Sequence, residues 1–498
     1  MGLKWGGRKA AAFAEGDDML LTKRKDLSMT EGPLFGKILI FILPLMVTNL
    51  LQVLYNATDM VVVSLSSELD AVGAIGTTSA FLNMVLNIFI GFSTGANVVV
   101  ARRLGARDDE GASKAVHTAI TMSVIFAAAS MGVGFLVARP VLALMGAEGH
   151  LLDLALKYTD IYFIGLPFTA LSNYAISILR ARGDTKTPLL VLSMTGLMNV
   201  GLNLMFVLAF DMSVDGVAWA TAIANATSAL VLLLRLSRDK GACRFSLRKL
   251  GIDRSSFRSI LTIGLPAGVQ GALFALSNML IQSSILQVNN AIVGEGARFN
   301  PVVKGNAAVA NLEGFAYTSV NSVYQGAITF TSQNVGAAKY QRVKRVMACC
   351  YATAAAVAVL ASGTLFLLRE PLLSLYDVAP AAADSLEQVA FDTALCRMMY
   401  TWIPYFLLST MEIGCGILRG LGRSLTSTVV SLMGACVFRV IWISTVFRAV
   451  GTLESIYLSY PISWGLTGLV LFLFSVKNLR HLIKTKKSEE ELLAAAGR

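Results

Sequence analysis

The sequence predicts an all-α polytopic membrane protein with twelve transmembrane helices arranged as two parallel six-helix repeats. Three observations predict it. Hydrophobic residues fill 55% of the 498 positions and charged residues only 15%, with a mean hydropathy of +0.65, whereas a water-soluble chain carries about 25% charged residues. The apolar residues gather into long continuous runs, enough for about twelve spans of about 20 residues, and not into the short alternating segments of a transmembrane β-barrel. The two halves of the chain also align with each other.

The first 33 residues are polar and mixed in charge (Lys4, Arg8, Lys9, Asp17, Asp18), so a cleavable signal peptide is not expected and residues 1–35 read as a tail. Apolar runs then place spans near 37–63, 71–99, 116–138, 159–179, 189–210 and 216–236. A second set follows near 259–287, 308–332, 347–368, 393–418, 427–447 and 457–476. The resulting units are a first six-span lobe at 36–237, a basic linker at 238–256, a second lobe at 257–476 and a tail at 477–498. Pro44, Pro167, Pro266, Pro404 and Pro461 fall inside spans one, four, seven, ten and twelve, where they free backbone carbonyls and bend helices.

Twelve spans put both termini on one side. The tails and even-numbered connections hold 34 of the 42 Lys and Arg, so that side is expected to be cytoplasmic. The net charge of +11 follows from this bias. It calls for no nucleic acid, though the tails should attract anionic lipid headgroups weakly.

The internal repeat carries the most information. Leu43-Pro44 and Leu54-x-Asn56 recur 222 residues later as Leu265-Pro266 and Leu276-x-Asn278. Gly105-Ala106 and Pro140-x-Leu142-x-Leu144 recur at a spacing of 231 as Gly336-Ala337 and Pro371-x-Leu373-x-Leu375. ILRARGDTKTP at 178–188 recurs 239 later as ILRGLGRSLTS, with five identities in eleven. One insertion, near 288–307, lengthens the outer connection between spans seven and eight. Each half has an even number of spans, so both enter the membrane in the same sense. Parallel repeats of this kind belong to transporters, with the substrate route between the halves.

A charge within the bilayer costs about 2.5 to 3.5 kcal/mol on insertion scales, so intramembrane acids are functional candidates. Asp59 lies before Met60-Val61-Val62-Val63 and so within span one; its repeat mate is Ile281. Asn199 and Asn203, four apart, share one face of span five, and Thr221 sits in the small-residue run Ala218-Trp219-Ala220-Thr221-Ala222 of span six. Together these four offer one carboxylate and several neutral oxygens, a set that suits a monovalent cation or a proton. Glu313 and Glu412 are the other buried acids, each either structurally paired or lining a cavity for cationic substrate, with Arg439 as a partner. Gln52, Tyr55, Asn56, Asn173, Gln270, Asn278 and Gln282 complete the expected cavity lining.

No metal-ligand spacing, phosphate-binding loop, nucleophile elbow or Ser/His/Asp arrangement occurs in the sequence, and His117, His150 and His481 sit near span ends. The six cysteines read as small apolar filler. Neither an enzyme nor a cofactor is expected, and the energy source would be an ion gradient or the substrate's own gradient.

The chain resembles the bacterial branch of the multidrug and toxic compound extrusion (MATE) transporters, within the multidrug/oligosaccharidyl-lipid/polysaccharide flippase superfamily. The resemblance lies in MTEGPLFGKILIFILPL (29–45), YNATDMVVVS (55–64), GFSTGANVVVARRLGARDDEGASKAVHTA (91–119), ILRARGDTKTPL (178–189) and GVAWATAIANATSA (216–229). IGLPAGVQ (263–270) and GILRGLGRS (416–424) extend it, so that it covers about residues 29–476. It implies a V-shaped pair of lobes in the bacterial plasma (inner) membrane, acting as a monomer. The implied activity is export of amphipathic, often cationic small organic compounds in exchange for Na+ or H+. It also implies a cation site of Asp59, Asn199, Asn203 and Thr221. Many members have Asp where this chain has Asn203, which leaves one carboxylate and both coupling ions open. A second branch uses a seventh-span Glu, and the corresponding place near Phe274 has no acid. A flippase for lipid-linked precursors is the alternative; such proteins commonly have fourteen spans and a more basic cavity.

Overall fold

A computed structural model describes residues 28–496 except Ser67, Leu69, Glu295, Gly296 and Arg298. Most of the expected N-terminal tail, residues 1–27, lies outside the described residues. Twelve long helices follow in order among the described residues. They are α1 (Leu34–Val63), α2 (Ala71–Gly105), α3 (Asp109–Leu144), α4 (Gly149–Arg182), α5 (Lys186–Ala209) and α6 (Val214–Ser237) in the first half. The second half has α7 (Arg254–Val293), α8 (Pro301–Gly336), α9 (Tyr340–Leu367), α10 (Leu386–Thr401 and Tyr405–Gly420), α11 (Ser424–Val450) and α12 (Leu453–Ala496). Ten of the twelve expected spans fall inside their helices, and the other two, 189–210 and 347–368, overrun theirs by one residue at the C-terminal end.

Ten of the helices are long and apolar enough to cross a membrane, and the two segments of α10, bent by 51° at the break, count as an eleventh. The twelfth, α8, carries Asn306, Asn321, Gln325 and Gln333 along its length, so its hydropathy is diluted by groups that face the protein interior. Of the intrahelical prolines only Pro404 breaks its helix; Pro44, Pro167, Pro266 and Pro461 sit within continuous ones. Neighbouring helices and adjusted local bonding can absorb the missing donor in a membrane helix. The insertion near 288–307 mostly extends helices: α7 runs on to Val293 and α8 begins at Pro301. The tail at 477–498 likewise continues α12 as far as Ala496.

The repeat is written into the backbone as well as the sequence. Left-handed residues end helices at Arg107 and Ala338, at Gly146 and Asp377, and at Gly183 and Gly422. These pairs stand at the same 231- and 239-residue spacings as the sequence matches. Each pair stops a helix by the same αL turn in both halves.

Exposed Leu190, Met194 and Leu197 line one face of α5, while Val191, Thr195, Asn199 and Asn203 on the other face are buried. This places the apolar stripe toward lipid and the amides inward. The linker is docked: Ser246 N donates to His117 Nε2 at 3.1 Å, and Asp253 N donates to Thr118 Oγ1 at 2.9 Å. Asp253 also caps α7 by accepting from Ser256 N at 2.8 Å.

Both ends of the described chain meet the α8–α9 turn. Met29 and Gly32 carbonyls accept from Arg342, and Lys486 donates to the Ala338 carbonyl at 3.0 Å. That end also carries Arg102, Arg103, Arg180 and Arg182 and is called the basic end here.

Candidate functional site

The two halves cross where glycines remove the side chains that would keep backbones apart. Gly91 and Gly95 of α2 lie against Gly264 and Gly268 of α7, each pair a G-x-x-x-G spacing, and a Cβ on any of them would strike the partner backbone. Nearer the basic end a second crossing repeats itself by symmetry. A Cβ on Gly105 would overlap the Gln333 carbonyl, and one on Gly336 would overlap the Arg102 carbonyl. Arg102 Nη2 donates to the Gly420 carbonyl at 2.9 Å, and Gln333 Nε2 donates to the Ala181 carbonyl at 2.7 Å. Since Arg102 and Gln333 are repeat mates, as are Ala181 and Gly420, one latch is made twice. Asn97 adds a bond to the Ser177 carbonyl at 2.9 Å and accepts one from Thr329 at 3.1 Å.

Above this seal lies a cavity of about 420 Å³ between the halves. Gln52, Asn56, Asn173, Gln270 and Glu412 line it, together with Asn49, Asn87, Asn321, Gln325, Tyr317, Tyr324 and Phe274. Its charged residues are Glu412, Arg180 and Arg419, the last two being repeat mates close to the seal. Arg419 is held by Gln270 Oε1 at 2.9 Å and by the Tyr324 hydroxyl. The lining is therefore amide-rich and aromatic, with one carboxylate.

Four residues expected on the cavity lie elsewhere. Tyr55 points from α1 to α5, where its hydroxyl donates to the Ser193 carbonyl at 3.2 Å and its ring covers Gly196. Asn278 and Gln282 share the helix face of Gln270 and Phe274 but stand one and two turns farther out, with Gln282 accepting from Asn306 Nδ2 at 3.1 Å. Glu313 pairs with Arg397 of α10 at 2.8 Å, and Arg397 also donates to Asn306 Oδ1 at 2.6 Å. Arg439, expected as a partner for these acids, bonds instead to Ser463.

Asp59, Asn199, Asn203 and Thr221, the residues expected to form a cation site, lie within the first half, apart from the cavity. Asn203 Nδ2 donates to Asp59 Oδ1 at 2.5 Å and approaches Asn199 Oδ1 at 3.4 Å, while Asn199 Nδ2 reaches Thr221 Oγ1 at 3.3 Å. Three helices, α1, α5 and α6, thus bring all four residues together. Asn203 is fully buried, and its Oδ1 has no hydrogen-bond partner among the described residues. A buried amide oxygen without a donor is costly unless something else satisfies it, and a small cation or a protonated carboxyl would. Directly beyond Asn203, α5 opens into a π-turn at Met205–Ala209, a feature frequent at functional sites.

The MatE family model matches residues 44–205 and 275–443, one segment in each half. The chain belongs to the MatE family. It is 24% identical to the probable multidrug resistance protein YoeA of Bacillus subtilis over 89% of this chain and 95% of that one. It is 22% identical to the multidrug export protein MepA of Staphylococcus aureus, over 86% and 91% of the two chains. Among solved structures, an outward-facing multidrug resistance MATE family transporter superposes with a TM-score of 0.83 at 19% identity, covering 93% of this chain and 99% of that one. That likeness carries the two-lobed MATE fold. The chain is accordingly a multi-pass membrane transporter, its lobes being α1–α6 and α7–α12.

Sequence reasoning missed the latch residues Arg102, Gln333 and Gly420. Gly105-Ala106 and Gly336-Ala337 marked the repeat, and the two G-x-x-x-G spacings were present as signals of close helix packing.

Proposed function

We propose that the chain exports amphipathic, cationic organic compounds across the bacterial plasma membrane in exchange for H+ or Na+, by alternating access between its lobes. The observation that carries this reading is the separation of the two sites. The Asp59 cluster lies inside the first lobe and the substrate-sized cavity lies between the lobes, with α1 common to both.

Helix α1 reaches α8 through Asn49, whose Nδ2 donates to Ser322 Oγ at 2.9 Å, then lines the cavity with Gln52 and Asn56 and ends in the ion cluster at Asp59. A proton or Na+ arriving at Asp59 neutralises the carboxylate that now accepts from Asn203. It thereby changes what α1 bonds to on α5. Because the helix is one body over that length, a shift at Asp59 is felt in the cavity lining. Glu412 provides the charge complement for an organic cation, and Tyr317, Tyr324 and Phe274 provide aromatic faces for it.

The bias of basic residues supports a cytoplasmic basic end with both termini inside. The latched seal would then make this the outward-facing state. The two arginines against one glutamate in the cavity favour a second reading, a flippase for anionic lipid-linked precursors. Twelve helices in place of fourteen weigh against it.

The test is transport by the purified protein in liposomes, with Na+ and pH gradients imposed separately and a fluorescent lipophilic cation as substrate. Uphill movement under one gradient is expected. Movement under neither would refute the antiport reading.

A further inference from the structure

The place in the second lobe that corresponds to the ion cluster has the opposite charge. Helices α7, α11 and α12 stand there where α1, α5 and α6 stand in the first lobe. Ile281 takes the position of Asp59, and at the 239-residue spacing Asn199 maps to Phe438, the residue before Arg439. The π-turn beyond Asn203 is repeated in α11 at Ile443–Phe447, and another precedes Arg439 at Leu432–Val437. The arginine thus sits on a short α-helical segment between two π-turns.

Arg439 is 7% exposed. Its Nε donates to Ser463 Oγ at 2.9 Å, and its guanidinium carbon lies 4.2 Å from the Tyr460 ring centre and 5.8 Å from that of Trp464. Its terminal nitrogens make no hydrogen bond and no ion pair with the described residues, and Glu313 is already engaged by Arg397. The side chain lines a groove of about 390 Å³ between α7 and α11 that has Arg448 at its outer end and no carboxylate among its lining residues. Ser277 Oγ, also lining the groove, is buried beside the Cys436 thiol without an oxygen or nitrogen partner among the described residues. Ring faces relieve part of the desolvation of a buried guanidinium, but they leave its in-plane donors unused. Those donors form a fork that matches a tetrahedral or planar oxyanion.

We propose that the α7–α11 groove is an oxyanion site for a phosphate group, the charge-inverted counterpart of the cation cluster. Arg439 and Ser277 bind the oxygens in the deep part. Arg448, nine residues on and therefore about 13 Å farther along the helix, draws the anion in. Leu280 and Val440, both exposed at the groove, offer an apolar wall to a phosphate that carries an alkyl chain.

The full-length protein in detergent tests this with two probes. Native mass spectrometry measures binding of phosphatidylglycerol against phosphatidylcholine. Tryptophan fluorescence, which Trp464 beside Arg439 should report, is titrated with inorganic phosphate at constant ionic strength. Arg439→Gln should weaken phosphatidylglycerol or phosphate binding at least tenfold, and Arg448→Gln several-fold, with phosphatidylcholine unchanged. Ser277→Val, which leaves the arginine's packing alone, should also weaken binding and keeps the test open if Arg439→Gln does not fold. Response to both probes assigns the site to the phosphate group itself; response to the lipid alone assigns it to headgroups, and response to phosphate alone to a soluble anion. Equal binding by wild type, Arg448→Gln and Ser277→Val would overturn the proposal.

Discussion

Replacing Gly105 by Ala should open the seal between the lobes. In an ordinary helix the change favours folding by about 1 kcal/mol, since Ala is the better helix former. Here the added Cβ would overlap the Gln333 carbonyl, a backbone atom that cannot swing away. Forcing a methyl into such a contact costs about 1 to 3 kcal/mol, and only the latched state makes the contact. At about 1.4 kcal/mol per factor of ten, the latched population should fall about 5- to 150-fold relative to the open one. Gly336→Ala should act alike through the Arg102 carbonyl, whereas Gly363→Ala, with nothing within 4 Å, should not. Spin labels on exposed positions 109 and 344, in a background lacking the six cysteines, would read the distance across the basic end. Wild type should give one dominant short distance and both variants a second, longer one. An unchanged distribution in a folded Gly105→Ala protein would refute the latch.

Three further outcomes follow from the same geometry. Asn203→Asp would set two carboxylates against each other in one buried site, so that they ionise together only with a bound cation. Transport should then gain or shift pH dependence, and an identical pH profile would remove Asn203 from the ion site. Labelling of single cysteines should place 237–256 and both tails inside and 288–307 outside; labelling of the insertion from the inner face would overturn the orientation. Arg397→Met leaves the partly buried Glu313 without its partner, which should cost somewhat less than the roughly 3 to 5 kcal/mol of a fully buried pair and appear as a lower thermal midpoint, while Arg397→Met with Glu313→Leu should recover much of it.

Helix positions were legible because lipid demands long apolar runs. Even α8, whose apolar run is diluted by Asn306, Asn321, Gln325 and Gln333, was placed in this way at 308–332. The faces of α5 were readable from the spacing of Asn199 and Asn203, and the meeting of α1, α5 and α6 was carried by the family resemblance. Periodicity gives a face but not a depth. Asn278 and Gln282 therefore share the stripe of Gln270 yet stand beyond the cavity, and Glu313 shares that of Tyr317 but is claimed by α10. Tyr55 is a failure of a different kind: it lies off the Gln52–Asn56 stripe, and what attracts it is the gap left by Gly196 on another helix. The latch was hidden because its acceptors are the backbone carbonyls of Gly420 and Ala181, which no side-chain pattern reports.

In the proposed cycle Asp59 carries the coupling ion while the cavity carries the substrate. The most direct test compares wild type with Asp59→Asn in liposomes, measuring uphill substrate accumulation under an imposed Na+ or pH gradient alongside equilibrium binding of the same substrate. Asp59→Asn should bind substrate within a few-fold of wild type and show no gradient-driven accumulation. Accumulation equal to wild type would contradict the account.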